Sequence, residues 1–277
     1  MIKISTPYEK DMKLDWNELW NDALKKVPKK NSRSWDNVAP KFKKQRGKND
    51  YPKKLLEKIK LESSDTVLDI GCGSGIITMS LAQKAKKVTA LDISRKMLQL
   101  LKENAAEKGL TNIYPLNRRL EDVLLNGDVE SHDVVVASRS LNGVYNIKEI
   151  LQKVDKIAKK YVYITLWGAN NLKFQNEILK IIGREFNEHP TYIYAYNILY
   201  ELGIYANVEI LDYDNSSYYS TVDESIETFK WKIGNLSQKE EDILRNYLTE
   251  KMVKLHDSRF KFPNNKPDWA LIWWKKE

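Results

Sequence analysis

The 277-residue chain predicts an α/β fold: a doubly wound, mostly parallel sheet with a helical extension before it and a helical insertion late in the chain. Three observations carry this. Short apolar, β-branched runs alternate with segments of helical spacing between residues 67 and 166, as parallel strands joined by helices require. One of these runs, Val67-Leu68-Asp69-Ile70, turns through Gly71-Cys72-Gly73-Ser74-Gly75 into a helix. A second, Lys87 to Leu91, ends at Asp92, 21 positions after Gly71. That distance puts an acid on ribose hydroxyls in a nucleotide-binding βαβ unit.

The elements follow in order. Residues Tyr8 to Val27 carry Met12, Leu14, Trp16, Leu19, Trp20 and Leu24 at loose helical spacing, and Pro28 ends this helix. A stretch from Ser34 through Pro40 to Pro52 precedes a short helix, Lys53 to Ile59. After the first strand and glycine turn, Ile76, Ile77, Met79, Leu81 and Ala82 mark a helix to Lys84. Ser94 is placed to cap the next helix, which Gly109 terminates after Lys108. Strands are expected at Asn112 to Leu116, His132 to Ser138 and Tyr161 to Leu166, the last two separated by a helix from Ile147 to Lys159. Helices Asn171 to Glu185 and Tyr192 to Leu202, a strand Ala206 to Tyr213, helices Val222 to Ile233 and Ser237 to Lys254, and a strand Trp269 to Trp274 complete the chain.

The glycine turn distinguishes two cofactor classes. The nicotinamide fingerprint spaces its glycines Gly-x-Gly-x-x-Gly, whereas here the third glycine comes one position early and Asp69 stands two residues ahead of the first. Together with Leu91-Asp92-Ile93-Ser94 and Met97, the segment resembles the class I, Rossmann-like S-adenosylmethionine-dependent methyltransferases. The resemblance implies a seven-stranded sheet with an antiparallel last strand and S-adenosyl-L-methionine as cofactor. It carries Asp69, Gly71, Cys72, Gly73 and Gly75 to the loop beneath the amino acid part of the cofactor, Asp92 to the ribose and Ile93 to one face of the adenine, with Met97 as a further cofactor contact. After the third strand it carries Glu121 or Asp122 to the adenine amino group, with Leu120 beside them as a cofactor-binding candidate, and it puts Ser138 beside the methyl-donor end. N-terminal elements in such enzymes often form a lid, so residues 1–60 are expected as a helical extension and possible lid. Residues 61–277 then form the methyltransferase domain, with the helical insertion at about 214–262.

The acceptor is less legible. The Asp/Asn-Pro-Pro-aromatic pattern of amine and amide methylating members is absent at Ser138-Arg139-Ser140-Leu141-Asn142. Arg139, an always-charged fork at a strand end, either binds an anionic group of a substrate or pairs with a nearby acid. His189, Tyr196 and Trp231 belong to an aromatic-rich C-terminal third that either lines a small-molecule pocket or packs on the sheet. No catalytic residue is assigned; His189 and Tyr196 are the candidates for a general base, should the nucleophile arrive protonated.

Composition narrows the remaining classes. Hydrophobic and charged contents of 42% and 30% suit a globular protein, and no apolar run reaches the 18 or so residues of a membrane span. Met1 to Lys10 lacks a signal-peptide core, and a cytoplasmic location is expected. The single cysteine, Cys72, cannot form an intrachain disulfide, and His132, His189 and His256 lack metal-ligand spacing, so no metal is expected. Between Lys25 and Lys60, 14 Lys or Arg face Asp36, Asp50 and Glu57, a net +11 against +8 for the whole chain. That segment is either an RNA-binding surface or a solvated one. A small-molecule methyltransferase is therefore the leading expectation. An RNA methyltransferase and a non-catalytic cofactor-binding protein are the alternatives, and the oligomeric state is open.

Overall fold

The computed structural model describes residues 14–25, 32–44, 50–185, 189–213, 218–262 and 267–276. Ten strands and ten helices are defined among them. Seven strands form one sheet in the order β3-β2-β1-β4-β5-β10-β6. These are β1 (Thr66–Ile70), β2 (Lys87–Asp92), β3 (Ile113–Asn117), β4 (His132–Ser138), β5 (Ala158–Trp167), β6 (Asn207–Ile210) and β10 (Trp269–Lys275). Strands β1 to β5 pair in parallel, while β10 runs antiparallel to both β5 and β6. The doubly wound sheet with an antiparallel last strand is thus the observed architecture.

The central strands are apolar on both faces because both are covered. Leu68, Ile70, Val135, Ala137, Val162 and Ile164 face one layer, built by α1 (Trp16–Lys25), α6 (Ile147–Ile157) and α8 (Tyr192–Glu201). Val67, Val88, Val134, Val136 and Tyr163 face the other, built by α3 (Tyr51–Lys58) and α4 (Ile76–Ala82). Helix α5 (Arg95–Glu107) joins α4 through Leu98, Leu101 and Met79. The expected cap is present: Ser94 Oγ accepts from Met97 N at 3.1 Å.

The extension is tied down at two places. Trp20 is fully buried, donates from Nε1 to the Val144 carbonyl at 2.8 Å, and meets Tyr194 of α8 edge-on. Helix α2 (Ser32–Lys44) was not anticipated, because Pro40 stands inside it and leaves the Asp36 carbonyl without its helical donor. Tertiary packing outweighs this loss: Val38 and Ala39 bury against Met97 at the start of α5.

The insertion has its own core. Between β6 and β10 lie α9 (Val222–Ile233), α10 (Gln238–Lys251) and a small sheet in the order β7 (Tyr218–Tyr219), β9 (Phe260–Lys261), β8 (Val253–Lys254). Ile226, Phe229, Leu244, Leu248 and Phe262 pack with Ile178, Leu179 and Ile182. The last three belong to or follow α7 (Lys173–Ile181), so a helix far earlier in the chain completes this unit. Helix α10 stops at Lys251, and Val253-Lys254, expected as its last turn, is strand β8.

Candidate cofactor and acceptor site

The glycine turn lies at the carboxyl ends of β1 and β2. Gly71 N and Cys72 N both donate to the Leu91 carbonyl, at 2.7 and 3.0 Å, folding the turn over the end of β2. Two glycines are needed for different reasons. Gly75, at φ +89°, would drive a Cβ to 2.3 Å from Leu101 Cδ1 and 2.6 Å from Met79 Cε, so its missing side chain lets α4 and α5 close. Gly73, at φ +53°, has no atom within 4 Å of a Cβ position: the space above it is open. A ligand lying there would meet bare backbone.

Two carboxylates frame the turn. Asp69 is buried, and its Oδ2 accepts from Thr78 Oγ1 at 2.6 Å. Burial, with the Asp92 charge nearby as a smaller cause, pushes its carboxyl up to about 7. Asp92 accepts from Gly73 N at 2.9 Å through Oδ2 and from Ser94 N at 2.8 Å through Oδ1. Burial also raises the Asp92 carboxyl, and these backbone donors act the other way. A carboxylate offers about four acceptor sites, so both oxygens, though fixed in place, retain capacity for a pair of hydroxyls. The Cys72 thiol is buried and pushed well above its ordinary range, which makes it a packing group rather than a nucleophile.

Helix α2 roofs this end. Asp36 Oδ1 accepts from Ser94 Oγ at 2.5 Å and from Lys96 N at 3.2 Å, and the Ser94 hydroxyl holds its carboxyl below the usual range. Met97 is buried under α2, and Ile93 beside it is half-buried. Across the roof, Trp35 of α2 meets Trp231 of α9 edge-on, with ring centroids 6.2 Å apart. Trp231 therefore stands at the junction of extension and insertion.

The residues after β3 divide. Leu120 is buried in the core beneath α6, whereas Glu121 and Asp122 are exposed, and Glu121 Oε1 accepts from Arg119 Nη2 at 3.1 Å. Their backbone is pinned by Lys153 Nζ, which donates to the carbonyls of Leu120, Glu121 and Val123. Sequence reasoning missed Lys153, whose only signal is its place on the helix after β4.

The ends of β4 and β5 carry a hydroxyl cluster and a caged cation. Ser138 Oγ and Thr165 Oγ1 lie 2.8 and 2.7 Å from the Tyr51 hydroxyl. Arg139 takes the left-handed conformation, φ +58°, and its N donates to Thr165 Oγ1 at 2.9 Å. Its guanidinium lies 3.3 Å from the Tyr51 ring centroid and 4.7 Å from that of Trp269. Nη2 donates to the Tyr213 hydroxyl at 3.0 Å. Among the described residues no carboxylate pairs with Arg139. Tyr51, Tyr213 and Trp269 were not singled out in the sequence, because they lie in three separate segments.

The other candidates divide. His189 packs against Trp167, ring centroids 4.8 Å apart, at the end of β5. Tyr196 is half-buried on α8, and no described hydrogen bond joins it to the glycine turn or to Arg139. His132 is held at the opposite end of β4 by the Glu130 carbonyl and Thr89 Oγ1 and is kept neutral by burial. No group of three metal-ligating side chains occurs among the described residues.

Residues 61–223 match the family model described as a methyltransferase domain. The chain is 32% identical over 232 residues to an uncharacterized protein of Haemophilus influenzae, covering 81% of each. It is also 32% identical over 123 residues to the ubiquinone biosynthesis O-methyltransferase of Haemophilus ducreyi, covering 43% of this chain and 51% of that one. A Bacillus halodurans protein solved as a candidate methyltransferase superposes with a TM-score of 0.56 at 16% identity, over 82% of this chain and 98% of its own. The open backbone above Gly73 and the fixed Asp92 carboxylate fit S-adenosylmethionine, which carries no phosphate to be neutralised. The chain belongs to the methyltransferase-domain family and is an S-adenosylmethionine-dependent methyltransferase with a Rossmann-like fold.

Proposed function

We propose that the enzyme methylates a small organic acceptor seated above the carboxyl ends of β4 and β5. The observation that supports this is the roof: α2, tied through Asp36 to Ser94 beside Asp92, meets α9 through Trp35 and Trp231, which suits an enclosed acceptor better than a polynucleotide. When bound, the cofactor supplies an electrophilic methyl group on its sulfonium. The chain's own residues need only hold the acceptor in line and exclude water.

In this reading Asp92 holds the ribose, while Gly71, Gly73 and Gly75 pass beneath the amino acid part. Asp69 fixes the turn from below through Thr78, and Ile93 lies against the adenine. Within the N-terminal extension α2 serves as the lid, while α1 and α3 pack into the layers that cover the sheet, and residues 61–277 are the catalytic unit. The basic segment is partly engaged within the fold. Lys58 pairs with Glu209 at 2.5 Å, and Lys60 lies over the Tyr161 and Trp273 rings; the rest of that segment lies mainly outside the described side chains.

The test is calorimetry with S-adenosylhomocysteine, followed by radiolabelled methyl transfer to a panel of small acceptors and to bulk tRNA. Small-molecule transfer with tRNA binding that vanishes at moderate salt is expected. Transfer to tRNA alone would overturn the acceptor class. Cofactor binding with no transfer to any acceptor would favour a non-catalytic role.

A further inference from the structure

We infer that Arg139 is the anchor for a carboxylate on the methyl acceptor, a reading that rests on the proposed function. The first support is an unbalanced charge. Arginine keeps its proton, and a partly buried guanidinium normally has a carboxylate partner. Arg139 Nη2 reaches only a neutral phenol, Tyr213, and its buried Nε has no acceptor. Asp268, the carboxylate that precedes Trp269 in the chain, is engaged elsewhere: Oδ1 accepts from Asn170 N at 2.8 Å and Oδ2 from Asn170 Nδ2 at 3.2 Å.

The second support is preorganisation. The Tyr51 and Trp269 rings lie against the guanidinium, with centroids 3.3 and 4.7 Å from it, which positions the charge without taking N–H donors beyond the one that Nη2 gives Tyr213. The left-handed backbone at Arg139 is strained for a residue with a Cβ. The fold sustains that strain to aim this side chain from the end of β4.

The third support is position. Arg139 directly follows Ser138 on β4, and its neighbour Ser140 donates from Oγ to the Ile70 carbonyl at 2.6 Å, at the edge of the glycine turn. An anion on the guanidinium therefore lies beside the methyl-donor end, not out on the surface. One cation among aromatic rings balances a monoanion. A phosphate dianion would keep an uncompensated charge in surroundings of low polarity, so a carboxylate is the better match. Trp167 and His189, packed against each other next to Trp269, give the body of such an acid an apolar wall.

Benzoate is the probe, titrated by calorimetry into the full chain saturated with S-adenosylhomocysteine. Benzamide, its neutral analogue, and inorganic phosphate are titrated at the same ionic strength. Benzoate binding, with benzamide and phosphate silent, is expected. Arg139→Gln should weaken benzoate by roughly tenfold or more while holding S-adenosylhomocysteine within about twofold. Arg139→Lys keeps the charge but not the planar fork, and should fall between the two; it is the deciding variant if Arg139→Gln does not fold. Benzoate binding unchanged in either variant, absent from the wild type, or matched by phosphate overturns the inference. So does a parallel loss of S-adenosylhomocysteine affinity, which would assign the guanidinium to the cofactor's own carboxylate. Failure of S-adenosylhomocysteine to bind the wild type sinks the proposed function itself, and is read before benzoate is added.

Discussion

Asp69 should make the stability of the cofactor-free enzyme fall as the pH rises through the weakly acidic range. Its carboxyl is buried, with a neutral hydroxyl, Thr78, as its side-chain donor, and its folded value is pushed from the ordinary 3.8 up to about 7. The folded state then holds this proton more tightly than the unfolded chain. Between about pH 4 and pH 7 folding takes up a proton, so stability declines as pH increases and levels off above about 7. At about 1.4 kcal/mol per pH unit the whole effect is about 4 kcal/mol, a large part of the roughly 5–15 kcal/mol that holds a domain together. Asp69→Asn is the perturbation, since an amide mimics the protonated acid and does not titrate. Urea unfolding of both proteins across this range isolates the effect, because acids remote from Asp69 titrate alike in each and its coupling to Asp92 is the smaller cause. The difference, variant minus wild type, should open by about 4 kcal/mol as the pH rises; any cost of placing the amide nitrogen shifts it by a constant. A difference that stays flat, or closes with rising pH, would refute the reasoning.

Three further outcomes follow from the turn and its roof. Gly75→Ala should cost about 2–4 kcal/mol in unfolding measurements, from positive φ and overlap with Leu101 and Met79, whereas Gly73→Ala should cost about 1–2 kcal/mol yet weaken S-adenosylhomocysteine at least about tenfold. Equal effects of the two on stability and on binding would contradict the open slot above Gly73. Asp92→Ala should lower S-adenosylhomocysteine affinity by roughly 10–100-fold in calorimetry, and unchanged affinity would remove the ribose assignment. Asp36→Ala, which unties α2 from Ser94 and Lys96, should speed S-adenosylhomocysteine release several-fold in stopped-flow measurements, with little change in association if α2 is a lid.

The parallel core was legible because its causes are local. Strands covered on both faces must be continuously apolar, and Val134-Val135-Val136-Ala137 can be little else. The glycine turn was legible for the same reason: Asp69, Gly73, Gly75 and Asp92 lie within one βαβ unit, and each meets its neighbours through backbone geometry. Helix α2 was not legible, since Pro40 argues against a helix and only the packing of Val38 and Ala39 on Met97 reverses that argument. Nor were β7, β8 and β9, two residues each, too short to carry any alternation. The recruitment of α7 into the insertion core rests on contacts between segments roughly 40 or more residues apart, which no local period encodes.

The acceptor side is hidden for a deeper reason, because its residues share no stretch of chain and are joined by strand register. Trp269 stands opposite Trp167 at the carboxyl end of β5 only because β10 runs antiparallel in this alignment. Leu211 N bonds to the Trp269 carbonyl at 2.9 Å, which brings Tyr213, two residues on, to the same edge as Tyr51 and Arg139. A slip of β10 by one residue would turn Trp269 to the opposite face and remove one wall of the guanidinium cage. Ala270, Leu271, Ile272 and Trp274 are buried between two helical layers, and the bond from Trp274 Nε1 to Asp155 Oδ1 at 2.8 Å opposes that slip. Register thus separates two demands on the C-terminal third. The insertion between β6 and β10 can differ in length and form without disturbing the cage, while the strand that follows it must return in one alignment.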